Sequence, residues 1–124
     1  MNTVANKTIY VVDDDTSILE ILSIILKDHG YNVIVSTDGS SLDSMGTIPD
    51  LIILDIRLAG SDGSEICRQC KQDARLASVP IILVSANLDG EDIARSCGAD
   101  AFLSKPFELK EILGLAHKHI AEAR

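Results

Sequence analysis

The chain has 124 residues, which is long enough for one domain with a buried core. Hydrophobic residues make up 46% of it and there is no Trp, so we expect an aliphatic core. The 19 acidic residues outnumber the 11 basic ones and give a net charge of −8, which disfavours direct binding to nucleic acid or to an anionic membrane. No apolar run reaches the roughly 20 residues of a membrane helix, and no signal peptide precedes the first apolar run. We therefore expect a cytoplasmic protein with a single domain over residues 1–124.

Short apolar runs alternate with amphipathic segments along the chain. Most runs are apolar at every position rather than at alternate positions, as in strands that are buried on both faces of a parallel sheet. They occupy residues 8–12, 32–36, 51–54, 81–85 and 101–104. The spacing of apolar residues predicts five helices. The first ends at Gly30, and the second is weak and lies at about 40–45. The others lie at about 63–72, 90–97 and 109–120. This layout predicts a (βα)5 α/β fold, a doubly wound parallel sheet with helices on both faces.

The first predicted helix has one clear apolar stripe. Its members follow the spacing i, i+3, i+4, i+7 and i+8 and are Ile18, Ile21, Leu22, Ile25 and Leu26. Leu19 lies at one edge of this stripe, and Ile24 lies beyond the other edge. We expect the stripe to face the core and these two side chains to be partly exposed.

The three cysteines carry a weak signal. Cys67 and Cys70 form a lone CxxC, and Cys97 stands apart. A zinc site needs a second pair of ligands at a suitable spacing, which the sequence lacks, and a redox CxxC usually lies at the start of a helix. We interpret the cysteines as reduced thiols that are partly packed in the core, with a metal or redox site as the less favoured alternative.

Polar residues stand where the predicted strands end, at the edge where open parallel sheets bind ligands. They are Asp13, Asp14 and Asp15 after the first strand, Asp55 after the third, Ser85 at the end of the fourth, and Lys105 with Pro106 after the fifth. Carboxylates in one cleft repel each other unless a cation lies between them, and oxygen ligands suit Mg²⁺. A lysine and a hydroxyl can hold a phosphoryl group, so the set predicts a phosphoryl-transfer site with Mg²⁺ as cofactor. No Gly-rich phosphate loop is present, which weakens a dinucleotide-binding interpretation.

Each of these residues has a simpler interpretation when it is taken alone. Asp15 or Thr16 can cap the first helix, and Asp62–Gly63 is typical of a turn that leads into a helix. Lys105–Pro106 can be an ordinary loop. Their joint placement at successive strand ends favours the functional interpretation.

Four stretches of the sequence resemble the response-regulator receiver domain, the CheY-like family. They are IYVVDDD, LIILDIRL followed by SDG, PIILVSA and GADAFLSKPF, in the order and with the spacing of that family. The resemblance covers about residues 8–121 and implies a flavodoxin-like fold with strand order 2-1-3-4-5. It also implies a role in two-component or phosphorelay signalling, in which the domain takes a phosphoryl group from a histidine kinase or a histidine phosphotransfer protein. A downstream effector protein or an output domain would then respond.

The same resemblance implies roles for the acidic residues. Asp55 resembles the phosphoacceptor. Asp14 resembles the direct metal ligand of the acidic pair, with Asp13 acting through water, and the backbone carbonyl of Arg57 would complete the protein's share of the Mg²⁺ shell. A receiver domain of this kind is not an enzyme in the usual sense, since it catalyses only its own aspartyl phosphorylation and dephosphorylation.

The resemblance further implies a switch and a docking face. Ser85 corresponds to the switch hydroxyl, Lys105 to the lysine that contacts the phosphoryl group, and Phe102 to the aromatic switch position. The peptide bond before Pro106 is expected to be cis. In the family the first helix meets the phosphodonor, so we predict that Leu19, at the edge of the apolar stripe, contacts that partner.

Three rival interpretations stay open at this point. A haloacid-dehalogenase-type phosphatase also uses a nucleophilic aspartate, Mg²⁺ and a lysine, and Asp13-x-Asp15 matches its pattern, but Asp55 and Ser85 would then lack a role. A flavodoxin needs aromatic side chains to stack its flavin, and aromatic residues are only 3% of the chain. A degenerate receiver would not need the intact acidic residues, serine and lysine. Such a domain either stands alone or belongs to a longer regulator or hybrid kinase.

Overall fold

The computed structural model of the protein describes residues 7–42, 46–58 and 60–122. Five strands form the central sheet: β1 (Thr8–Val12), β2 (Asn32–Ser36), β3 (Leu51–Asp55), β4 (Ile81–Ser85) and β5 (Ala101–Ser104). The α-helices are α1 (Thr16–Asp28), α2 (Gly63–Gln72), α3 (Gly90–Cys97) and α4 (Leu109–Glu122). A small antiparallel hairpin, in which Arg57–Leu58 pairs with Ser61–Asp62, lies between β3 and α2.

The sheet has the order β2-β1-β3-β4-β5, and every neighbouring pair of strands is parallel. This confirms the predicted flavodoxin-like arrangement. The inner strands β1, β3 and β4 are buried along their whole length, because their continuous apolar sequences face helices on both sides. The edge strands β2 and β5 are only partly buried. Strand order reverses at β1 and β3, so the carboxyl ends of these two strands flank the crevice of the sheet.

The helices cover the sheet in two pairs. On one face, α1 and α4 bury aliphatic side chains such as Leu26 and Ile112. On the other face, α2 and α3 bury smaller ones such as Cys67 and Ala94. The result is a three-layer α/β/α domain with one apolar core on each side of the sheet. Within the described ranges, no helix is long and apolar enough to cross a membrane.

The predicted weak helix at about 40–45 is not an α-helix where the structure describes it. Ser40–Leu42 form one 3-10 turn, and residues 43–45 lie outside the described residues. Local hydrogen bonds explain the difference, because the Gly39 amide donates to Ser36 Oγ at 2.9 Å and the Ser40 amide donates to Asp38 Oδ1 at 2.9 Å. Such bonds offer the backbone an alternative to helical pairing.

The apolar stripe of α1 is only partly as predicted. Leu22 and Leu26 are buried, but Ile21, which was expected in the stripe, is 49% exposed. Leu19 was expected at an exposed edge and is only 5% exposed, because it packs in the core between the sheet and α4. The expectation that Leu19 is exposed is therefore wrong, and this removes the reason for placing it against a phosphodonor. The large apolar side chains that α1 does expose are those of Ile21 and Ile24.

The three cysteines lie in the core, as the favoured interpretation of the sequence predicted. Cys67, Cys70 and Cys97 are all buried and none forms a disulfide. The CxxC falls inside α2 rather than at its start, and Cys67 Sγ donates to the carbonyl of Cys97 at 3.5 Å. Burial raises the pKa of the Cys67 thiol far above its ordinary value, which leaves it in its unreactive protonated form.

Candidate functional site

The buried strand β3 carries Asp55 to the carboxyl edge of the sheet. β3 pairs with β1 on one side and β4 on the other, so its end is fixed from both directions. Asp55 is 5% exposed, and the Arg57 amide donates to its Oδ1 at 3.3 Å. α2 begins directly against this point, since the Gly63 amide donates to the carbonyl of Ile56 at 2.7 Å. A methyl group at Gly63 would lie 1.9 Å from the Asp55 carbonyl oxygen, so only a glycine fits there.

Three carboxylates meet at the ends of β1 and β3. Asp13, Asp14 and Asp55 each offer one oxygen, and these oxygens all lie within 4.8 Å of one another. Asp13 and Asp55 are buried while Asp14 is exposed, so the cluster is open to water on one side. The Asp15 amide donates to Asp13 Oδ1 at 2.9 Å. The Asp15 carboxylate does not belong to the cluster, because it caps α1 by accepting from the amides of its first turn.

Lys105 provides the positive charge of the site. Its Nζ donates to Asp55 Oδ2 at 3.0 Å and to Asp13 Oδ2 at 3.1 Å. Burial alone would lower the pKa of Lys105, but these two hydrogen bonds and the negative charges of Asp13 and Asp55 together outweigh it and raise the pKa, so the ammonium stays charged. Burial raises the pKa of Asp13, and the negative charge of Asp55 adds to this effect. The Asp15 amide and Lys105 act against the rise.

The donor set fits a magnesium ion. Three carboxylates and one ammonium leave two negative charges uncompensated in the cleft. Mg²⁺ prefers a few carboxylate ligands and keeps several waters, which matches a buried pair of aspartates with an exposed third. Asp13, Asp14 and Asp55 could therefore hold the ion. The carbonyl of Arg57 as a further ligand stays a prediction.

Ser85 lies at the end of the strand next to Asp55, because Asp55 pairs with the preceding residue Val84. The serine is 2% exposed, and its Oγ accepts from the Asn87 amide at 2.9 Å, which leaves the hydroxyl hydrogen available to a further acceptor. Asn87 also accepts at Oδ1 from Nη2 of Arg57 at 3.0 Å. This side-chain bond links the β4–α3 loop to the hairpin that follows β3.

The remaining predicted site residues come from β5 and the loop after it. Phe102 is half-buried and lies beside β4, where it pairs with Leu83. The Lys105–Pro106 peptide bond is cis. The structure thus brings Asp13, Asp14, Asp55 and Lys105 into one cluster, with Ser85 on the adjoining strand and Phe102 on the strand beyond.

Two contacts near the site were missed in the sequence, and both involve glycines. Gly63 touches the backbone of Asp55, and Gly90 touches the ring of Phe102. Each is the first residue of a helix and directly follows an aspartate, so the repeated Asp–Gly pair was a usable signal. The interpretation of Asp62 as a turn residue before a helix is confirmed, since its Oδ1 accepts from the Ser64 amide at 2.9 Å and caps α2.

A family comparison identifies the arrangement. The model of the response regulator receiver domain matches residues 9–117, most of the chain. The chain belongs to the response-regulator receiver family. Receiver domains are the signalling modules of two-component systems rather than enzymes with an external substrate.

The receiver domain resembles longer curated proteins. The DNA-binding response regulator MtrA of Mycolicibacterium smegmatis is 38% identical over 109 residues, which are 85% of this chain and 46% of MtrA. The alkaline phosphatase synthesis transcriptional regulatory protein PhoP of Bacillus subtilis is 39% identical over 111 residues, which are 86% of this chain and 45% of PhoP. The chain therefore spans about half the length of these curated relatives.

Solved structures agree with the CheY-like fold of the receiver domain. A CheY-like response regulator receiver domain protein from Methanospirillum hungatei JF-1 has a TM-score of 0.86 and 27% identity, and the match covers 96% of this chain and 97% of that one. The receiver domain of the sensor histidine kinase PA1611 from Pseudomonas aeruginosa PAO1 has a TM-score of 0.85 and 28% identity, over 95% of this chain and 100% of that one. Its structure has a magnesium ion coordinated in the active-site cleft.

These relatives overturn one expectation from composition. The net charge of −8 disfavours direct nucleic-acid binding, yet several relatives of the receiver domain, including MtrA, are named DNA-binding response regulators. The expectation is wrong because the net charge of −8 belongs to this chain alone. This chain spans about half the length of those relatives, so its charge says nothing about the binding properties of a whole regulator.

Proposed function

We propose that this single receiver domain, over residues 1–124, accepts a phosphoryl group on Asp55 from a phosphohistidine of a histidine kinase or a histidine phosphotransfer protein. The observation that carries the proposal is the cluster at the end of β3. A nearly buried carboxylate lies in ion-pair contact with Lys105 and within 4.8 Å of the ligand oxygens of Asp13 and Asp14. That combination of nucleophile, cation and metal-binding acids is what phosphoryl transfer requires.

In the proposed step, a carboxylate oxygen of Asp55 attacks the phosphorus atom while the bond from phosphorus to the imidazole nitrogen of the donor breaks. With a proton on the other ring nitrogen of the phosphohistidine, the products are an aspartyl phosphate and a neutral imidazole, and attack of water on the acyl phosphate releases inorganic phosphate and regenerates the Asp55 carboxylate. Lys105 is charged and lies 3.0 Å from Asp55 Oδ2, so it is close enough to pair with an oxygen of the incoming group. Ser85 is the neighbouring hydroxyl donor.

Asp13, Asp14 and Asp55, with the backbone carbonyl of Arg57, are the proposed holders of Mg²⁺. The ion would supply charge neutralisation on the phosphoryl oxygens. The protein's own part is to keep two of the carboxylates buried and oriented, through the Asp15 amide on Asp13 and the Arg57 amide on Asp55.

The phosphodonor needs a docking surface close to Asp55, and an apolar groove offers one. The groove lies between α1 and the loop after β5, has a volume of about 370 Å³, and is lined by Ile18, Ala86, Lys105, Pro106 and Phe107. Since Lys105 also contacts Asp55, a helix seated in this groove would present its phosphohistidine to the acceptor. This groove replaces Leu19 as the proposed contact.

The proposed response to phosphorylation is a shift between two packings of one face. An aspartyl phosphate adds charge and strong acceptors beside Ser85 and Lys105. Ser85 would move toward the phosphoryl group, and Phe102 would adjust its ring in the space behind it. The face formed by α3, β5 and α4 would then present a different surface to an effector.

The experiment is labelling with acetyl phosphate and Mg²⁺, read by intact mass. The wild-type protein should gain one phosphoryl group that hydroxylamine removes, and chelation of Mg²⁺ should prevent the gain. Asp55→Asn should abolish labelling, whereas the matched control Asp62→Asn should label normally because asparagine also caps helices well. Equal labelling of Asp55→Asn and the wild type would refute the proposal.

The same samples test the rival phosphatase interpretation. A haloacid-dehalogenase-type enzyme would use Asp13 as nucleophile and Asp15 as its partner, but Asp15 caps α1. We expect no sustained turnover of p-nitrophenyl phosphate. Turnover that survives Asp55→Asn and disappears in Asp13→Asn would favour the phosphatase.

A further inference from the structure

Gly90, the first residue of α3, leaves a space that the ring of Phe102 occupies. A methyl group at this position would lie 2.6 Å from Cζ and 2.7 Å from Cε1 of Phe102, and 3.2 Å from Cβ of Ser85. Carbon atoms in ordinary contact are about 3.5–4.0 Å apart. Three elements therefore meet at one point: the start of α3, the end of β4 and the edge strand β5.

The backbone itself does not require a glycine here. The described glycines with positive φ are Gly30, Gly39, Gly60 and Gly98, and Gly90 is not among them. Inside a helix, glycine is less favourable than alanine by up to about 1 kcal/mol. The residue before it, Asp89, makes no side-chain capping bond that would offset a weak start. The feature that accounts for glycine at position 90 is the space for the ring.

A chain of hydrogen bonds connects Ser85 to the same turn. The Asn87 amide donates to Ser85 Oγ at 2.9 Å, and the Gly90 amide donates to the Asn87 carbonyl at 3.2 Å. A movement of the Ser85 hydroxyl toward a phosphoryl group would break the first of these bonds. It would thereby loosen the turn against which the Phe102 ring packs.

We propose that Gly90 is a positioning residue that sets how far the Phe102 ring can lie inward, and so couples this ring to Ser85. The inference rests on the proposed function, because it needs a phosphoryl group on Asp55 to move Ser85. Any side chain at position 90 displaces the ring outward. The ring has room to move, because it lies on a half-buried edge strand. Position 90 therefore controls whether modification of Asp55 is transmitted to β5.

The test compares Gly90→Ala with Gly114→Ala, by NMR of protein that carries ring-¹³C-labelled phenylalanine. The chain has only two phenylalanines, so Phe107 is an internal reference and Phe102→Leu assigns the signals. Gly114 is an exposed glycine within α4, and a methyl group there would have no neighbour within 4 Å, so its substitution controls for a general effect of alanine in a helix. Each protein is studied with and without beryllofluoride, which stands for the phosphoryl group on Asp55.

In the wild type, beryllofluoride should shift the Phe102 ring signals. In Gly90→Ala we expect about a tenfold lower ratio of inward to outward ring populations, in line with the cost of overpacking by one methyl group. The beryllofluoride-induced shift of Phe102 should then largely disappear, while Phe107 and the Gly114→Ala protein behave as in the wild type. A Phe102 response in Gly90→Ala equal to that of the wild type would overturn the proposal.

Failure of the proposed function would look different. If wild-type signals of residues 13–15 and 55–57 do not respond to Mg²⁺ and beryllofluoride, the acceptor site itself is wrong, and this inference falls with it. If those signals respond but Gly90→Ala leaves the Phe102 response unchanged, only the role of Gly90 is wrong.

If Gly90→Ala folds poorly, a double variant still tests the proposal. Phe102→Leu removes the aromatic ring that the methyl group meets, so Gly90→Ala should lower the stability against urea less in the Phe102→Leu protein than in the wild type. If Gly90→Ala destabilises equally with and without the ring, the collision does not involve Phe102 and the proposal fails.

Discussion

Gly63→Ala is expected to damage both the stability of the domain and the acceptor site. The new methyl carbon would lie 1.9 Å from the carbonyl oxygen of Asp55, 2.8 Å from its carbonyl carbon and 2.8 Å from Cα of Ile56. Carbon–oxygen contacts are normally about 3.3–3.6 Å, so α2 would have to retreat by more than about 1 Å. The obstructing atoms are backbone atoms at the end of a buried inner strand, and they cannot rotate away as a side chain can.

The expected cost can be estimated from two effects. Overpacking of this kind costs about 1–3 kcal/mol or more, and stretching the 2.7 Å bond from the Gly63 amide to the Ile56 carbonyl adds about 1 kcal/mol. The better helix propensity of alanine returns less than about 1 kcal/mol. We therefore expect a loss of about 3 kcal/mol in the free energy of unfolding, a large part of the total of a typical domain, and a Tm lower by about 12 °C.

Urea denaturation of Gly63→Ala beside Gly114→Ala measures this effect. Gly114 lies within the exposed part of α4 with open space around it, so Gly114→Ala should stabilise the protein by about 0.5–1 kcal/mol. Gly63→Ala should also be phosphorylated more slowly by acetyl phosphate, because Asp55 is displaced with its carbonyl. If both alanine variants stabilise the protein equally, the methyl group at position 63 does not collide with the backbone at the end of β3, and the reasoning is refuted.

Two further predictions concern the core. Leu19→Ala should lower the free energy of unfolding by about 2–5 kcal/mol, whereas Ile24→Ala should change it by less than about 0.5 kcal/mol. The reason is that the Leu19 side chain is 5% exposed and the Ile24 side chain is 63% exposed. Equal losses in urea denaturation would contradict this assignment of the buried face of α1. The three cysteines should react slowly with Ellman's reagent in the native protein and rapidly in urea, because all are buried and burial raises the pKa of Cys67. Rapid reaction of the native protein would show that the thiols are accessible.

The sheet could be predicted from the sequence because the residues of each inner strand form a continuous apolar run. A run such as Leu51–Leu54 is apolar at every position and is bounded by polar residues, as is typical of a short strand that is covered on both faces. The acidic cluster followed from the same reasoning, since Asp13, Asp14 and Asp55 come directly after two such strands. The family resemblance then supplied the strand order, which short apolar runs alone do not determine.

The rotation of α1 could not be predicted in the same way. The apolar residues of this helix cover more than half of its circumference, so spacing alone allowed either Ile21 or Leu19 to face the core. The choice depends on packing against β2, the next element along the chain, and against α4, which is distant in sequence. The contacts of Gly63 and Gly90 were missed for a related reason, because the Asp–Gly pair marks each helix start but does not show which strand that start meets.

The proposed acceptor and the proposed aromatic switch residue lie on strands of very different exposure. Asp55 ends an inner strand that is buried throughout, while Phe102 lies on an edge strand that is only partly buried. A substitution on the inner strand disturbs neighbours on both sides, whereas a substitution on the edge alters mainly an outer surface. Under the proposed function, a substitution on the edge strand would therefore change which partner recognises that surface while it leaves the acceptor chemistry intact. The position of a strand in this sheet would then decide which part of the proposed signalling function can diversify.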